Sequence, residues 1–293
     1  MKLKNENVNT ITYKFCKKPF LKSKDYAVSK EDFVLKIDKN LELLKTCPQP
    51  SQENISRYYE SDDYISHTDG KRNFFEKAYQ YVKRINLKKK LDIINYWNIE
   101  QGKILDFGAG TGDFMLFAKN HGWKTFCIET SAKAIELGKN KGLCYADKLE
   151  DFEDHFFDVI TLWHVLEHVP DFDQTIDLLK SKLKPDGTLI IAVPNFKSFD
   201  AKFYGAFWAA YDLPRHFWHF SRKAIHTIFE NHQMKIIKTY PMLFDSFYVS
   251  ILSEKHKTQH KNLLKGFVTG CISNFKAIKT KEYSSIIYVI KNH

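Results

Sequence analysis

The chain has no apolar run that approaches the roughly 18 residues needed to span a bilayer. Its longest core-like stretch runs only from about Gly187 to Pro194. The N-terminus, MKLKNENVNT, is polar and holds no apolar signal segment. Cysteine is scarce: Cys16, Cys47, Cys127, Cys144 and Cys271 form no Cys-x-x-Cys pair and no even set. That excludes a disulfide framework and points to a reduced, cytoplasmic setting. No internal repeat or low-complexity tract occurs, and with 43% hydrophobic and 27% charged residues the composition excludes wholesale disorder or a collagen-like chain. At 293 residues the length suits one main domain plus a sizeable appendage.

The net charge of +10 is unevenly spread. Residues 1–100 carry 20 Lys+Arg against 14 Asp+Glu, residues 101–253 carry 17 against 19, and residues 254–293 carry 8 against 2. The basic excess therefore sits on the flanks. A nucleic-acid enzyme more often spreads positive potential around its active-site mouth, so nucleic acid is not the expected partner. A solvated basic surface accounts for the flanks, with peripheral contact to an anionic membrane left open.

The middle of the chain alternates between strand and helix. Lys103–Phe107 reads as a strand ending in a glycine cluster, followed by a helix over about Gly112–His121. Thr125–Ile128 is a second strand, Ser131 caps a helix, and Leu143–Ala146 is a third strand. Phe157–Trp163 is a fourth, Phe172–Leu183 a helix, and Thr188–Val193 a fifth strand entered through the turn Lys184-Pro185-Asp186-Gly187. Later come a helix near Arg222–Asn231 and strands near Lys235–Tyr240 and Ser285–Ile290. Such alternation implies an α/β fold, a doubly wound parallel sheet with helices on both faces. Residues 1–73 lack the pattern and read as an N-terminal appendage. A helix from about Phe74 to Trp97 opens a domain over 74–293, with a basic helical insertion near 254–280.

The informative segment is Ile104-Leu105-Asp106-Phe107-Gly108-Ala109-Gly110-Thr111-Gly112-Asp113-Phe114. A strand runs through Gly-x-Gly-x-Gly straight into a helix, which places the turn where ligands lie across strand ends. A dinucleotide fingerprint needs glycine at the sixth position, and here that position is Asp113. With Asp106 also beside the loop, two carboxylates flank the place a pyrophosphate would take, which disfavours a dehydrogenase. S-adenosyl-L-methionine has no phosphate. Asp106 can hold its ammonium, and backbone N–H groups around Gly110–Gly112 can hold its carboxylate. Glu129, at the end of the second strand, suits the two ribose hydroxyls. Asp147 suits the adenine amine, with an apolar neighbour, Leu149, over the ring.

ILDFGAGTGDF, the acid Glu129, FFDVITLWHVLEHVPD and LKPDGTLIIAVPN together resemble the class I S-adenosylmethionine-dependent methyltransferases over about residues 74–250. The resemblance implies a seven-stranded sheet with an antiparallel last strand. It also implies S-adenosyl-L-methionine as methyl donor, S-adenosyl-L-homocysteine as product, and a cofactor site of Asp106, Gly108, Ala109, Gly110, Gly112, Glu129, Asp147, Leu149 and Trp163. VPNFKSFDAKFYGAFWAAYDLPRHFWHFS further resembles a bacterial small-molecule branch related to the ubiquinone O-methyltransferases. Many members of that branch begin with a zinc module. Here its first cysteine pair survives only as Cys16 with Pro19, and Lys36-Ile37-Asp38-Lys39-Asn40 replaces the second. Too few ligands remain for a tetrahedral zinc, so none is expected.

After the fourth strand, His164, Glu167 and His168 stand at i, i+3 and i+4, on one face if helical. The ubiquinone relatives carry Glu-x-x-Glu-His here, a pattern able to hold a divalent metal, and His164 replaces its first Glu. No metal is expected. Base or substrate-positioning work by His164, Glu167, His168 and His216 stands beside a structural hydrogen-bonding role. Residues 196–220 contain ten aromatics, more than one helix face needs. The surplus suits a pocket for an apolar or aromatic acceptor, or a membrane-facing patch. Tyr204, Trp208, Arg215 and His219 are its candidate contacts, although an ion pair accounts for Arg215 equally well. The resemblance implies a lid over the cofactor from Tyr58, Tyr59, Tyr64 and His67, with Tyr64 a further candidate acceptor contact, and ordinary surface tyrosines are the equal alternative. The expected function is methyl transfer to a small acceptor. An RNA or lipid acceptor and a non-catalytic adenosylmethionine-binding protein are the alternatives, and the oligomeric state is open.

Overall fold

The computed structural model describes residues 11–51, 53–59, 74–260 and 262–293. Two sheets organise them. The first strands, β1 (Leu21–Lys24), β2 (Asp32–Asp38) and β3 (Leu43–Cys47), form an antiparallel sheet completed by β9 (Trp218–His219). The second sheet holds β4 (Lys103–Phe107), β5 (Lys124–Ile128), β6 (Tyr145–Ala146), β7 (Phe157–Trp163), β8 (Leu183–Pro194), β10 (Met234–Pro241) and β11 (Ser285–Asn292). Its order is β10-β11-β8-β7-β4-β5-β6, and β11 alone runs antiparallel to its neighbours. The eight α-helices among the described residues are α1 (Phe74–Trp97), α2 (Asp113–Lys119), α3 (Ala132–Asn140), α4 (Phe172–Lys182), α5 (Phe199–Tyr204), α6 (Arg222–Asn231), α7 (Asp245–Thr258) and α8 (Leu263–Thr280).

The large sheet is buried on both faces, as the strands' continuous apolar runs demand. Leu189, Ile191 and Val193 point to one side with Leu105, Ile160 and Leu162, against α4 and α6. Ile190 and Ala192 point to the other with Ile104, Cys127 and Val159, against α1 and α2. Alternation along each strand thus fills two cores. Ser131, Asp171, Ser198 and Ser221 cap α3, α4, α5 and α6 by accepting from backbone N–H groups.

Two strand limits differ from the sequence reading. The third strand shrinks to Tyr145–Ala146. The turn Lys184-Pro185-Asp186-Gly187 lies inside β8: Phe157 pairs with Leu183 and Val159 already with Thr188, so the intervening residues bulge from the ladder. The larger difference lies in the appendage, where three strands stand in a region the sequence left without any. Its sheet is joined to the main domain through Leu44 opposite His219 and Lys45 opposite Trp218. Phe33, Leu35 and Leu44 pack there against Phe196, Tyr204, Trp208 and Tyr211. This explains the aromatic surplus. Seven of the ten aromatics in 196–220 are buried, because the segment must fill the space between two sheets rather than cover one helix face.

Candidate functional site

The order of the large sheet reverses at β4, whose neighbours are β5 and β7. A cleft of about 360 Å³ opens there, lined by α1, the loop after β4, Phe114 of α2 and Trp163 at the end of β7. Its size falls within the range of small-molecule sites. Gly108, Gly110 and Gly112 all take positive φ. At Gly112, the residue before α2, a side chain would also bring its Cβ within 2.2 Å of Leu143. The loop therefore requires glycine for conformation and for room.

Of the expected cofactor residues, Asp106, Gly108, Ala109, Gly110 and Trp163 line the cleft. Glu129 sits at its edge and ties the loop down: its carboxylate accepts from Gly110 N at 2.8 Å, Thr130 N at 2.8 Å and Ser131 N at 2.9 Å. Asp147 is exposed beyond β6. Leu149 is 2% exposed and packed in the core, and is not among the residues that line the cleft. Asp113 is bridged by Lys83 and Lys141, each at 2.6 Å, so the two carboxylates by the loop are unequal.

Asp106 is buried and accepts from Thr161 Oγ1 at 2.6 Å. Burial pushes its carboxyl up to about 7, against the Thr161 hydrogen bond and the charge of Lys90. Lys90 comes from α1, with its ammonium 4.2 Å from the centre of the Trp163 ring. Burial lowers it to about 8, while the nearby Asp106 and Asp245 work the other way. Sequence reasoning missed Lys90. It is the last of three consecutive lysines, and only the helix's contact with β7 separates it from its solvated neighbours.

The neighbouring residues form a second, more buried cluster of polar side chains. His164 follows β7 with φ +57 and stands between Glu167 (Nδ1 to Oε1, 3.3 Å) and Asp245 (Nε2 to Oδ2, 3.0 Å). Burial opposes its charge, but the two carboxylates prevail and raise it to about 10. It is an imidazolium at neutral pH and has no lone pair to offer as a base. Glu167 is 1% exposed and ionised. Burial would raise its carboxyl, but the His164 hydrogen bond and the surrounding histidines hold it below its ordinary value. Glu167 and His168 lie on a short 3₁₀ turn, Leu166–His168, rather than an α-helix, and His164 precedes it.

His168 directs Nδ1 at Arg215 O, 3.0 Å away, with Tyr59 Oη at 3.1 Å. His216 directs Nδ1 at Ala210 O, also 3.0 Å away. A carbonyl only accepts, so each ring carries a proton on Nδ1 and leaves Nε2 free of that contact. Burial, then the neighbouring His168, lowers His216 to about 4. Ligand atoms of Glu167, His168 and His216 lie within 4.8 Å of one another, and Glu167 Oε2 is buried without a hydrogen-bond partner.

The expected acceptor contacts fare differently. Arg215 is committed to Asp212 (2.6 and 3.0 Å), Tyr58 O (2.7 Å) and Asp25 (3.4 Å). Trp208 donates from Nε1 to Asp200, and His219 faces Thr46 Oγ1. Tyr204, Trp208, Arg215 and His219 are each buried where the two sheets meet. Tyr64 and His67 lie outside the described residues.

Residues 75–239, more than half of the chain, match the family described as "Methyltransferase domain". The chain belongs to this family. It is 25% identical over 150 residues to a demethylmenaquinone methyltransferase of Staphylococcus saprophyticus, covering 47% of this chain and 64% of that protein. It is 35% identical over 137 residues to a ubiquinone biosynthesis O-methyltransferase of Actinobacillus pleuropneumoniae, covering 39% and 55%. The chain thus spans less than two thirds of the length of these curated relatives. Among solved structures, magnesium protoporphyrin IX methyltransferase from Synechocystis PCC 6803 with bound SAH superposes with a TM-score of 0.55 at 14% identity, over 82% of this chain and all of that one. It shares the methyltransferase fold, including the antiparallel strand that the sequence implies.

Proposed function

We propose that this family member transfers a methyl group from S-adenosylmethionine to an oxygen, nitrogen or carbon of a small, apolar or aromatic acceptor. The observation that carries the donor assignment is the charge pair in the cleft. A buried carboxylate, Asp106, and an ammonium, Lys90, face one opening beside the Trp163 ring. Such a pair matches a zwitterionic amino-acid end, and the aromatic face suits a cation. S-adenosylmethionine supplies the methyl on a sulfonium, which is electrophilic without further activation. Asp106 holds the ammonium, Lys90 faces the carboxylate, and Glu129 keeps the loop in shape while meeting the ribose.

Relatives named for quinone biosynthesis support an apolar aromatic acceptor. The acceptor nucleophile forms its bond to the methyl carbon as the sulfur–carbon bond breaks, and the acceptor's proton passes to a base. Nε2 of His168 and of His216 is the proposed acceptor of that proton, whereas His164, already charged, positions Glu167. Alignment of donor and acceptor supplies most of the rate. Methyl transfer from labelled donor into a fractionated extract tests the proposal. Label in a small organic-soluble fraction is expected, and label confined to RNA, or none, contradicts it.

One observation favours metal assistance. The unpartnered Glu167 Oε2 and the two Nε2 atoms form a two-histidine, one-carboxylate set whose rings are oriented by backbone carbonyls. A divalent cation there would make an acceptor hydroxyl more acidic. Chelator-treated protein would then lose turnover and recover it with added Mg²⁺ or Zn²⁺; full turnover after chelation leaves the histidines as base.

A further inference from the structure

The hairpin of α7 and α8 is built inside out. The face of α8 turned to the protein carries small residues, Gly266, Thr269, Gly270, Ser273 and Ala277. They allow a close approach to α7: a Cβ on Gly266 would stand 2.7 Å from Ile251 Cα, and one on Gly270 3.0 Å from Phe247 Cα. The large apolar side chains face outward instead. Leu264 and Phe275 are each 76% exposed, Phe267 is 54% exposed, and Val268, Ile272 and Ile278 are exposed beside them. Positions 264, 267/268, 272, 275 and 278 recur every three to four residues, one continuous stripe along a helix. A helix that served only the protein core would show the opposite arrangement. Single exposed apolar residues need no explanation, but a contiguous stripe marks an interaction surface.

The charges bordering the stripe carry one sign. From Leu263 to Thr280 the ionisable residues are Lys265, Lys276 and Lys279 plus Cys271, with no Asp or Glu. On α7 the acids are spoken for: Glu254 is fully buried against Lys265 at 3.2 Å, and Asp245 holds His164. Lys255 and Lys257 add to the positive border, and Lys257 lies 5.7 Å from the ring of Phe203, itself 45% exposed on the adjoining α5. A second copy of the chain would bring like charges together across this face. An anionic surface complements it, and apolar residues framed by lysines suit the boundary between lipid headgroups and acyl chains. Among the described residues no helix is long and apolar enough to cross a membrane, so a membrane contact by this hairpin would lie along the surface and not span it.

We propose that the outward face of the α7–α8 hairpin docks this protein on an anionic phospholipid membrane. Asp245, the first residue of α7, bonds to His164, so the docking face is rooted beside the histidine cluster.

The test is co-sedimentation of the full chain with vesicles of equal parts phosphatidylglycerol and phosphatidylcholine, or of phosphatidylcholine alone. Binding to the anionic vesicles is expected to be at least roughly tenfold tighter and to weaken with salt. Leu264→Ser with Phe275→Ser should lower it roughly tenfold or more, since both side chains leave the interface. Lys276→Glu with Lys279→Glu should lower it roughly 30-fold or more. These residues are exposed, so unchanged thermal melting of the variants verifies their fold. As an independent readout, Phe275→Trp should shift its emission to the blue on anionic vesicles alone. The proposal is overturned if the native chain stays in the supernatant, binds both vesicles equally, or binds as well after the Leu264/Phe275 change. It is equally overturned if the native chain sediments as a dimer that this change dissociates while vesicles leave it unbound.

Discussion

The donor cleft draws Asp106 and Gly108 to Thr111 from one strand–loop unit and adds residues of α1 and Trp163, whereas the histidine cluster gathers groups from across the chain, including a Tyr59–His168 contact that spans 109 residues. The cleft is shaped by backbone, glycine conformation and two charges. The cluster is shaped by carboxylates that hold His164 and by backbone carbonyls that orient His168 and His216. Adjacent residues separate the two: Trp163 walls the cleft, and His164 begins the cluster. Donor recognition should therefore fail through single charges, and acceptor chemistry through the loss of any member of a network.

The largest expected effect tests that division on the cluster side. His168→Ala and His216→Ala should each lower kcat roughly a hundredfold, while donor affinity changes less than about threefold. Equal losses of kcat and donor affinity would make the cluster an extension of the donor wall. Next, Asp106→Ala should weaken donor binding roughly 10- to 100-fold by removing the partner of a charged hydrogen bond, with Lys90→Met acting in the same direction. Glu129→Ala should follow with a smaller loss, because other contacts also hold the loop; calorimetric titration ranks the three.

A pH series sharpens the comparison. Asp106, raised to about 7, loses its charge as pH falls, and Lys90, lowered to about 8, loses its charge as pH rises. Donor affinity should peak between these values. Asp106→Asn should remove the acidic limb and Lys90→Met the alkaline one; a limb surviving both variants belongs to the donor's own amino group.

The smallest effect concerns the scaffold behind both halves. His232 is buried between Asp177 (2.6 Å) and Asp173 (2.9 Å). Burial lowers its pKa, but the two carboxylates outweigh that and raise it. A raised folded-state value stabilises the protein below the unfolded value of about 6.5, and this contribution is lost as pH rises through the folded value. His232→Gln should cost about 1–2 kcal/mol in urea unfolding at about pH 5, with the gap closing at alkaline pH, and should leave both halves of the site active. A gap that widens with pH would show the histidine buried neutral.

Elements set by local spacing were legible in the sequence. The glycine loop, β4, β7 and α6 stand where alternation and turn residues place them. The N-terminal sheet was not: its strands are four to seven residues long and rich in lysine, and they find their apolar partners in residues 196–220. The same distance hid the structural roles of Arg215 and His219, whose partners include Asp25, just after β1, and Thr46 of β3. The insertion was placed near 254–280, but its first helix begins at Asp245. The buried face of that helix carries serines, so its periodicity does not read as amphipathic. The spacing of 164, 167 and 168 identified the cluster, yet His216 completes it only through the fold.

The central claim is that the cleft at β4 binds a zwitterionic sulfonium donor rather than a dinucleotide. Calorimetric titration of the native chain with S-adenosylmethionine and, separately, with NAD tests it most directly. The account predicts saturable one-to-one binding of S-adenosylmethionine, weakened in Asp106→Ala, and no heat with NAD. Saturable binding of NAD with none of S-adenosylmethionine, in protein shown to be folded, would contradict it.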